Sequence, residues 1–202
     1  MVKLIKQGRL TPMSDVAGVE LLPEELEALD RYYGEPAGLR ANMITTLDGG
    51  AAFDGRTKAV TDPADQVLLT HLRSYADVVL VGSATVAAEN YGPIKLSEDL
   101  QERRVAAGHA PLPRLAVVTA RGTLAPNLRI FSGGSRPLII TTQDVAETRA
   151  DLAELGDVVP AGPTAIGPVT TLSQLHNNGH PRMICEGGPF LLSTLVDAEI
   201  GR

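Results

Sequence analysis

A glutamate between an apolar strand and a glycine turn is the feature of this sequence most suited to chemistry. Glu186 follows the apolar run 183–185 and precedes a pair of glycines, 187–188. Pro189 then opens an apolar stretch of helical composition, and proline is favoured in the first turn of a helix. Glycines let backbone N–H groups approach a ligand, and a helix N-terminus carries partial positive charge. The segment predicts a phosphate-binding turn beside a carboxylate. A carboxylate at the end of an apolar strand is costly in free energy unless it is solvated or paired.

A second strand-to-helix turn of the same kind lies earlier in the chain. Residues 77–81 are mostly β-branched or apolar, and residues 82–89 have helical composition. Both turns would lie at the carboxyl ends of parallel strands, where open sheets of this class bind ligands. Neither has the G-x-G-x-x-G or the G-x-x-x-x-G-K-S/T pattern, so ordinary Rossmann and P-loop sites are disfavoured. Together the two turns predict a phosphate-containing ligand.

Composition limits the class of protein. The chain has 202 residues and a net charge of −6, without a basic stripe, so nucleic acid is not expected as a partner. No apolar run has the length of a membrane span, and the N-terminus lacks the apolar core of a signal peptide, so no membrane association is expected. The one cysteine, Cys185, lies in an apolar strand and is predicted to be buried and inert. We expect a single-domain, cytoplasmic protein.

Predicted strands and helices alternate along the chain. Strands are predicted over residues 39–46, 51–53, 77–81, 115–119, 138–141, 158–159 and 183–185. Helices are predicted over residues 23–33, 63–75, 82–89, 98–107, 146–155 and 172–177, and from residue 189. Either Thr61 or Asp62 caps the helix at Pro63, and the segment 121–134, rich in glycine and proline, is predicted to be exposed. This alternation predicts an α/β fold with a mostly parallel central sheet and helices on both faces.

Five segments occur in an order that identifies a family. They are ANMITTLDG at 41–49, TDPAD at 61–65, LR at 72–73, ADVVLVGSATV at 76–86 and CEGGP at 185–189. With them the chain resembles the pyrimidine reductases of riboflavin biosynthesis, of the stand-alone actinobacterial type, which have a dihydrofolate-reductase-like fold. The resemblance covers residues 38–202 and implies one reductase domain with residues 1–37 as an extension packed on it. It also implies a homodimer and further strands beyond Arg202.

The resemblance implies a reduction by NADPH. Hydride would reach the ribose C1′ of 5-amino-6-(5-phosphoribosylamino)uracil, or of its counterpart before deamination, and the sugar would open to a ribityl chain. The protein would hold the nicotinamide against this carbon, exclude water and provide acidic or hydrogen-bonding help. A deaminase activity is not expected, because one cysteine cannot form the zinc site of the nucleobase deaminases.

Site residues follow from the same resemblance. The implied cofactor contacts are Ala59, Thr61, Gly82, Ser83, Thr85, Glu89, Arg121, Gly187, Gly188, Pro189, Phe190 and Leu191. The implied substrate contacts are Asn42, Thr57, Arg73 and Glu186, and the candidate catalytic groups are Asp48 and Glu186. No metal is expected, because the four histidines, His71, His109, His176 and His180, have no metal-ligand spacing and are predicted to lie on the surface.

Several of these residues have a structural alternative. Asp48 precedes Gly49 and could serve only to stabilise its own turn. Arg73 could be a solvated helix residue, and Thr85 could be a helix cap without a ligand.

Two departures from the family bear on the ligands. Serine is common where Ala120 stands, so either Arg121 or Thr119 would read the adenosine 2′-phosphate, or Arg121 is an ordinary loop residue. Asn42 stands where the deaminase–reductase fusion enzymes of the family usually have lysine. Asparagine can form hydrogen bonds but cannot supply a positive charge. Lys95 is the nearest candidate for the substrate phosphate.

Two further hypotheses remain: a reductase of the same fold acting on another heterocycle, such as a dihydropterin, and a catalytically silent NADPH-binding protein.

Overall fold

The computed structural model describes residues 23–34, 38–51, 57, 60–133 and 135–198. In this part of the chain six strands form one sheet: β1 Gly38–Ala41, β2 Val78–Gly82, β3 Arg114–Val118, β4 Leu138–Thr141, β5 Asp157–Pro160 and β6 Arg182–Cys185. The same residues form eight α-helices: α1 Pro23–Tyr33, α2 Pro63–Ser74, α3 Ser83–Ala88, α4 Glu98–Ala106, α5 Gln143–Thr148, α6 Leu152–Leu155, α7 Pro168–Asn177 and α8 Pro189–Asp197. The predicted alternation of strands and helices is confirmed.

The sheet has the strand order β1-β6-β2-β3-β4-β5, and all five pairings among the described strands are parallel. β2 lies between β6 and β3, and the side chains of residues 78–81 are fully buried. A continuous apolar run of this kind is typical of a strand that is covered on both faces. β6 comes last in the chain but lies between the first two strands.

Helices cover the sheet on both faces. Successive side chains of a strand point to opposite faces, and the strands therefore contribute to two apolar clusters. Val79 packs in a cluster with Leu72 of α2, whereas Leu80 packs in the other cluster with Leu175 of α7. Burying one such side chain stabilises the fold by about 1.5–3 kcal/mol. The predicted two-sided covering of the sheet is confirmed.

A buried ion pair joins the beginnings of β2 and β6. The backbone N–H and the Nε of Arg182 both donate to Oδ2 of Asp77 at 3.0 Å, and Nη2 donates to Oδ1. Nη1 of Arg182 also contacts Nε2 of His109. Burial raises the pKa of the Asp77 carboxyl, but the hydrogen bonds and charge of Arg182 and the charge of His109 outweigh it, so the pKa lies below its ordinary value. The pair fixes the strands that carry the two predicted ligand turns.

Helix α2 is held at both ends. Asp62, one of the two predicted caps, accepts a hydrogen bond at 2.8 Å from the backbone N–H three residues later. At the other end the buried Arg104 donates to the carbonyl oxygens of Ser74 and Ala76 at 2.7 and 2.6 Å. Carbonyl groups in the last turn of a helix need such partners. Arg73, in that last turn, therefore lies on a fixed element.

Strand β1 is shorter than predicted. It ends at Ala41 and not at Thr46, and Asn42 makes one more backbone hydrogen bond, from its N–H to the carbonyl oxygen of Cys185 at 2.9 Å. The strand cannot continue because its partner β6 also ends at Cys185. Of the predicted strand 51–53, only the first residue is described, and it is not in a strand.

The single helix predicted over 146–155 is wrong. Two short helices stand there, because Thr142 caps α5 at an earlier start, accepting from the backbone N–H of Val145. The chain then breaks around Arg149, whose side chain pairs with that of Asp151 at 2.7 Å. The local pair competes with continuation of the helix.

Two predictions of surface position are also wrong. In the segment 121–134, Leu124 and Ile130 are only 5% and 2% exposed and belong to an apolar cluster. His71, predicted on the surface, is 9% exposed in α2. Burial and the charge of Arg103 lower its pKa. For Leu124 and Ile130 the apolar surroundings come from elements distant in sequence. Cys185 is fully buried as predicted, and burial raises the pKa of its thiol.

Replacing Asp77 by alanine is expected to lower the free energy of unfolding by about 3 kcal/mol, because the buried Arg182 loses its three hydrogen bonds to the Asp77 carboxylate. Urea denaturation measures the effect. Asp151→Ala removes the acid of an exposed pair and should leave the midpoint unchanged. Equal loss of stability in both variants would contradict a stabilising role for the buried pair of Asp77 with Arg182.

The stabilisation by Asp77 should also depend on pH. Since the pKa of Asp77 is lowered in the folded protein, its stabilisation is present above the ordinary value of 3.8 and is lost as the pH falls below it.

Candidate active site

The two predicted turns meet at the carboxyl ends of β2 and β6. The backbone N–H of Gly82 donates to the carbonyl oxygen of Gly187 at 2.8 Å. The peptide bond between Gly187 and Gly188 is cis, and Gly187 has a φ of 90°, in the region that favours glycine. A Cβ atom at Gly188 would lie 2.5 Å from Oγ1 of Thr85. Position 187 therefore favours glycine because of its backbone conformation. Position 188 favours glycine because Thr85 lies so close.

Both helices that follow these turns begin without a side-chain cap. The N-cap positions are Gly82 for α3 and Gly188 for α8. Among the described residues, no side-chain capping hydrogen bond is present at either position. The first N–H groups of a helix have no partner inside the helix, so they remain available to a ligand. An anion is favoured at such an end.

A cavity of about 660 Å³ opens over these turns. Four segments line it: the β2–α3 turn, the residues after β3, the loop before α7 and the start of α8. Its lining includes Gly82, Ser83, Thr85, Thr119, Arg121, Thr171, Gly188, Pro189, Phe190 and Leu191. Pockets for small molecules and cofactors have volumes of about 300–1,000 Å³. We call this space the larger cavity.

A smaller cavity of about 310 Å³ adjoins the larger one. Its lining includes Asn42, Met43, Thr57, Thr61, Asp65, Gln66, Arg73, Glu89, Tyr91 and Glu186. Ala84, Thr85, Gly188 and Pro189 line both cavities. Because four residues are shared, ligands in the two cavities would meet beside Thr85 and Gly188. Such an arrangement suits transfer of a small group from one ligand to the other.

Arg73 and Glu186 form the main ion pair of the smaller cavity. Nε of Arg73 donates to Oε1 of Glu186 at 2.7 Å, and Nη2 donates to Oε2 at 2.7 Å. The side chains are 17% and 6% exposed, so most of the pair is shielded from water. Tyr91 joins it: its hydroxyl accepts from Nη2 of Arg73 at 2.6 Å and donates to Oε2 of Glu186. The partner that the sequence required for Glu186 is therefore Arg73, assisted by Tyr91.

Two further carboxylates line the smaller cavity. Oε1 of Glu89, the residue that follows α3, accepts a hydrogen bond from the backbone N–H of Thr57 at 2.6 Å. Asp65 accepts from the hydroxyl of Thr61, and Nε2 of Gln66 donates to the same hydroxyl at 2.8 Å. Thr61 and Glu89, two of the predicted cofactor contacts, line the smaller cavity, and their role at a cofactor stays a prediction.

Asp48 lies on an exposed turn. Its carboxylate accepts a hydrogen bond from the hydroxyl of Thr46 and another from the backbone N–H of Gly50. Both hydrogen bonds lower the pKa of Asp48, and the one from Thr46 has the larger effect. The described residues that line the two cavities do not include Asp48, Gly187 or Lys95. These contacts match the turn-stabilising alternative, and a catalytic role for Asp48 stays a prediction. Ala59 lies outside the described residues.

Tyr91, Asp65 and Gln66 are site residues that the sequence reasoning missed. Tyr91 follows Asn90, a non-glycine residue with a positive φ of 50°, in the turn after α3. A tyrosine placed directly after a helix that begins at a ligand turn was an available signal. Asp65 and Gln66 lie one turn into α2, the helix that carries Arg73.

The described residues have neither a metal-binding cluster nor a membrane-spanning helix. No cluster of three or more histidine, cysteine, aspartate or glutamate side chains suited to a metal is found there. In the same part of the chain, no helix combines the length and the apolar character needed to cross a bilayer.

The chain has an α/β fold with two adjoining cavities at the carboxyl ends of its strands. The RibD C-terminal domain profile matches residues 37–200, and the chain therefore belongs to this family. A 2,5-diamino-6-ribosylamino-4(3H)-pyrimidinone 5′-phosphate reductase from Archaeoglobus fulgidus is 26% identical over 161 residues, covering 79% of this chain and 74% of that protein. RibD from Mycobacterium tuberculosis is 28% identical over 155 residues, which cover 76% of this chain and 42% of that protein.

Solved structures agree with the family. The crystal structure of a pyrimidine reductase-like protein from Corynebacterium diphtheriae superposes with a TM-score of 0.71 at 25% identity, covering 85% of this chain and 73% of that chain. The predicted likeness to the pyrimidine reductases and the predicted dihydrofolate-reductase-like α/β fold are confirmed. The family is one of oxidoreductases, as expected.

Replacing Gly188 by alanine is expected to weaken the binding of a nicotinamide cofactor, tested with NADPH, about tenfold, or 1.4 kcal/mol, because the new methyl group would collide with Thr85 where the cavities meet. Its φ of −77° is open to other residues, so the fold should be retained. Fluorescence titration with NADPH measures the affinity. Ser193→Ala, on the exposed side of α8, is the control. Unchanged affinity in Gly188→Ala would contradict the placement of the cofactor turn.

Proposed function

We propose that this chain catalyses the NADPH-dependent reduction of the ribosyl group of a phosphorylated 5-amino-6-ribosylaminopyrimidine to a ribityl group, a step of riboflavin biosynthesis. The observation that carries the proposal is the meeting of two cavities beside Thr85 and Gly188, with the Arg73–Glu186 pair in the smaller one. Reductase names among the relatives support the same reaction class.

The larger cavity fits a nicotinamide dinucleotide. Its volume suits such a molecule, and the close approach at Gly188 with the uncapped start of α8 provides backbone donors for a diphosphate. Gly82, Ser83 and Thr85 would hold the diphosphate from the other side. When bound there, NADPH would supply hydride to the ribosyl carbon of a substrate in the adjoining cavity.

The smaller cavity suits a polar heterocycle with several N–H groups. Among the described residues that line it, Asp65, Glu89 and Glu186 provide carboxylate oxygens, which only accept hydrogen bonds when ionised. Asn42 offers both a donor and an acceptor. Arg73 uses Nε and Nη2 for Glu186, and its Nη1 nitrogen carries two further donors. An aminopyrimidine with a ring amide presents matching donors and acceptors.

The chain's own residues would position the reacting sugar and exclude water. Glu186 lines the smaller cavity two residues before Gly188, which lines both cavities, so its carboxylate lies close to the boundary between the ligands. There it would accept a hydrogen bond from the substrate and favour positive charge that develops as the sugar opens. The pair with Arg73 holds that carboxylate in place.

A second candidate is a reductase of the same fold for another heterocycle. The observation that favours it is Asn42, which lines the smaller cavity where the fusion enzymes have lysine. The homodimer stays a prediction from the resemblance and the cytoplasmic location stays one from composition, and size-exclusion chromatography of purified protein tests the first.

Oxidation of NADPH, followed by its absorbance, tests the function with the phosphoribosylaminopyrimidine, in both deamination states, beside dihydrofolate. We expect turnover with a pyrimidine. Glu186→Gln should lower kcat/KM about a hundredfold, because an amide cannot accept both guanidinium hydrogen bonds and the pair is displaced. Glu102→Gln, an exposed residue of α4, is the control.

The outcomes separate the candidates. Turnover with dihydrofolate alone would move the function to the second candidate. Tight NADPH binding without turnover of any of these substrates would leave a silent cofactor-binding protein. Full activity of Glu186→Gln would remove Glu186 from the site.

Replacing Arg121 by alanine should weaken the binding of NADPH about tenfold while leaving that of NADH unchanged, since a guanidinium pairs strongly with phosphate. Arg121 is exposed on the wall of the larger cavity. Isothermal titration with each cofactor measures the ratio, and Arg103→Ala on α4 is the control. An equal loss for both cofactors would assign Arg121 to the diphosphate or to the fold.

A further inference from the structure

Tyr91 lines the smaller cavity, and its ring is packed in place. It follows α3 and Asn90, and its backbone N–H donates to the carbonyl oxygen of Val86 at 3.0 Å. Its ring packs against the apolar cluster that includes Val79 and Leu72. A tyrosine has only two side-chain torsions, and both are restricted by this packing. The hydroxyl therefore has a fixed position.

The hydroxyl bridges both members of the ion pair. It accepts from Nη2 of Arg73 at 2.6 Å and donates to Oε2 of Glu186. The guanidinium carbon of Arg73 also lies 5.6 Å from the centre of the tyrosine ring, a distance at which cation and ring attract each other. Tyr91 thus makes two contacts with Arg73 and one with Glu186.

The pair needs such a restraint. Arg73 and Glu186 lie 113 residues apart in the chain, one on α2 and the other in the turn after β6. Both side chains are long, and holding two of them in one geometry costs conformational entropy. A substrate in the smaller cavity could also draw the guanidinium away from the carboxylate. A third, rigid partner reduces both effects.

We propose that Tyr91 is a positioning residue for the reduction: its hydroxyl fixes the Glu186 carboxylate and the Arg73 guanidinium in the arrangement that receives the substrate. This inference rests on the proposed function, because it assigns the smaller cavity to the pyrimidine. Tyr91 acts through its two charged partners, whereas Thr85 and Gly188 act at the cofactor boundary. The aromatic ring fills space, and the hydroxyl does the positioning.

Tyr91→Phe tests the hydroxyl alone, because the ring and its packing remain. We expect kcat for the pyrimidine to fall about tenfold, the size expected when a hydrogen bond to a charged group is lost. The KM for NADPH should stay within about twofold, since among the described residues Tyr91 lines only the smaller cavity. Thermal midpoints and circular dichroism show whether the variant is folded.

Tyr75→Phe is the matched control. The hydroxyl of Tyr75 also donates to a carboxylate, Oδ1 of Asp30, but Tyr75 is absent from the described lining of both cavities. Its loss should leave kcat and both KM values unchanged. A role for Tyr91 in stability alone would affect the two variants alike in their midpoints and neither in its kinetics.

Each outcome decides the question. Wild-type kinetics in Tyr91→Phe, or an equal fall in Tyr75→Phe, would overturn the positioning role and leave the proposed function intact. A Tyr91→Phe protein that does not fold would assign the hydroxyl to stability and would also overturn it. A wild-type protein that oxidises no NADPH with either pyrimidine would overturn the proposed function and this inference with it.

Discussion

The parallel pairing of β2 with β6 is the constraint on which the site depends. It places two strand-to-helix turns side by side, and the hydrogen bond from Gly82 to Gly187 joins them. The ion pair of Asp77 with Arg182 fixes the opposite ends of the same strands. With both ends held, the register cannot slip without breaking a buried charge pair. The two cavities share a wall because these turns cannot separate.

Charge is distributed unevenly between the cavities. The described lining of the smaller one has three carboxylates and one guanidinium, whereas the larger one has helix starts and Arg121. The larger cavity thus favours an anionic ligand, and the smaller one favours groups that donate hydrogen bonds. The Arg73–Glu186 pair lowers the electrostatic cost of placing so many carboxylates together. It also leaves Glu186 acting as an acceptor.

The sequence was sufficient for the local parts of this architecture. Continuous apolar runs predicted β2, β3, β4 and β6, and the glycine–proline pattern predicted the start of α8, because these signals lie within a few residues. The need of Glu186 for a partner was also predictable from its place at a strand end. The identity of that partner was not, since Arg73 reaches it only through the folded sheet. Tyr91 was missed for the same reason.

The insertion of β6 between β1 and β2 has a consequence for how the protein is made. β1 is synthesised early, but in the described sheet its neighbour is β6, which emerges more than a hundred residues later. Closing so long a loop is slow relative to local pairing. Until then the edges of β1 and β2 are unpaired, and an incomplete chain exposes a sheet edge prone to association. The strand that completes the site also protects the nascent fold.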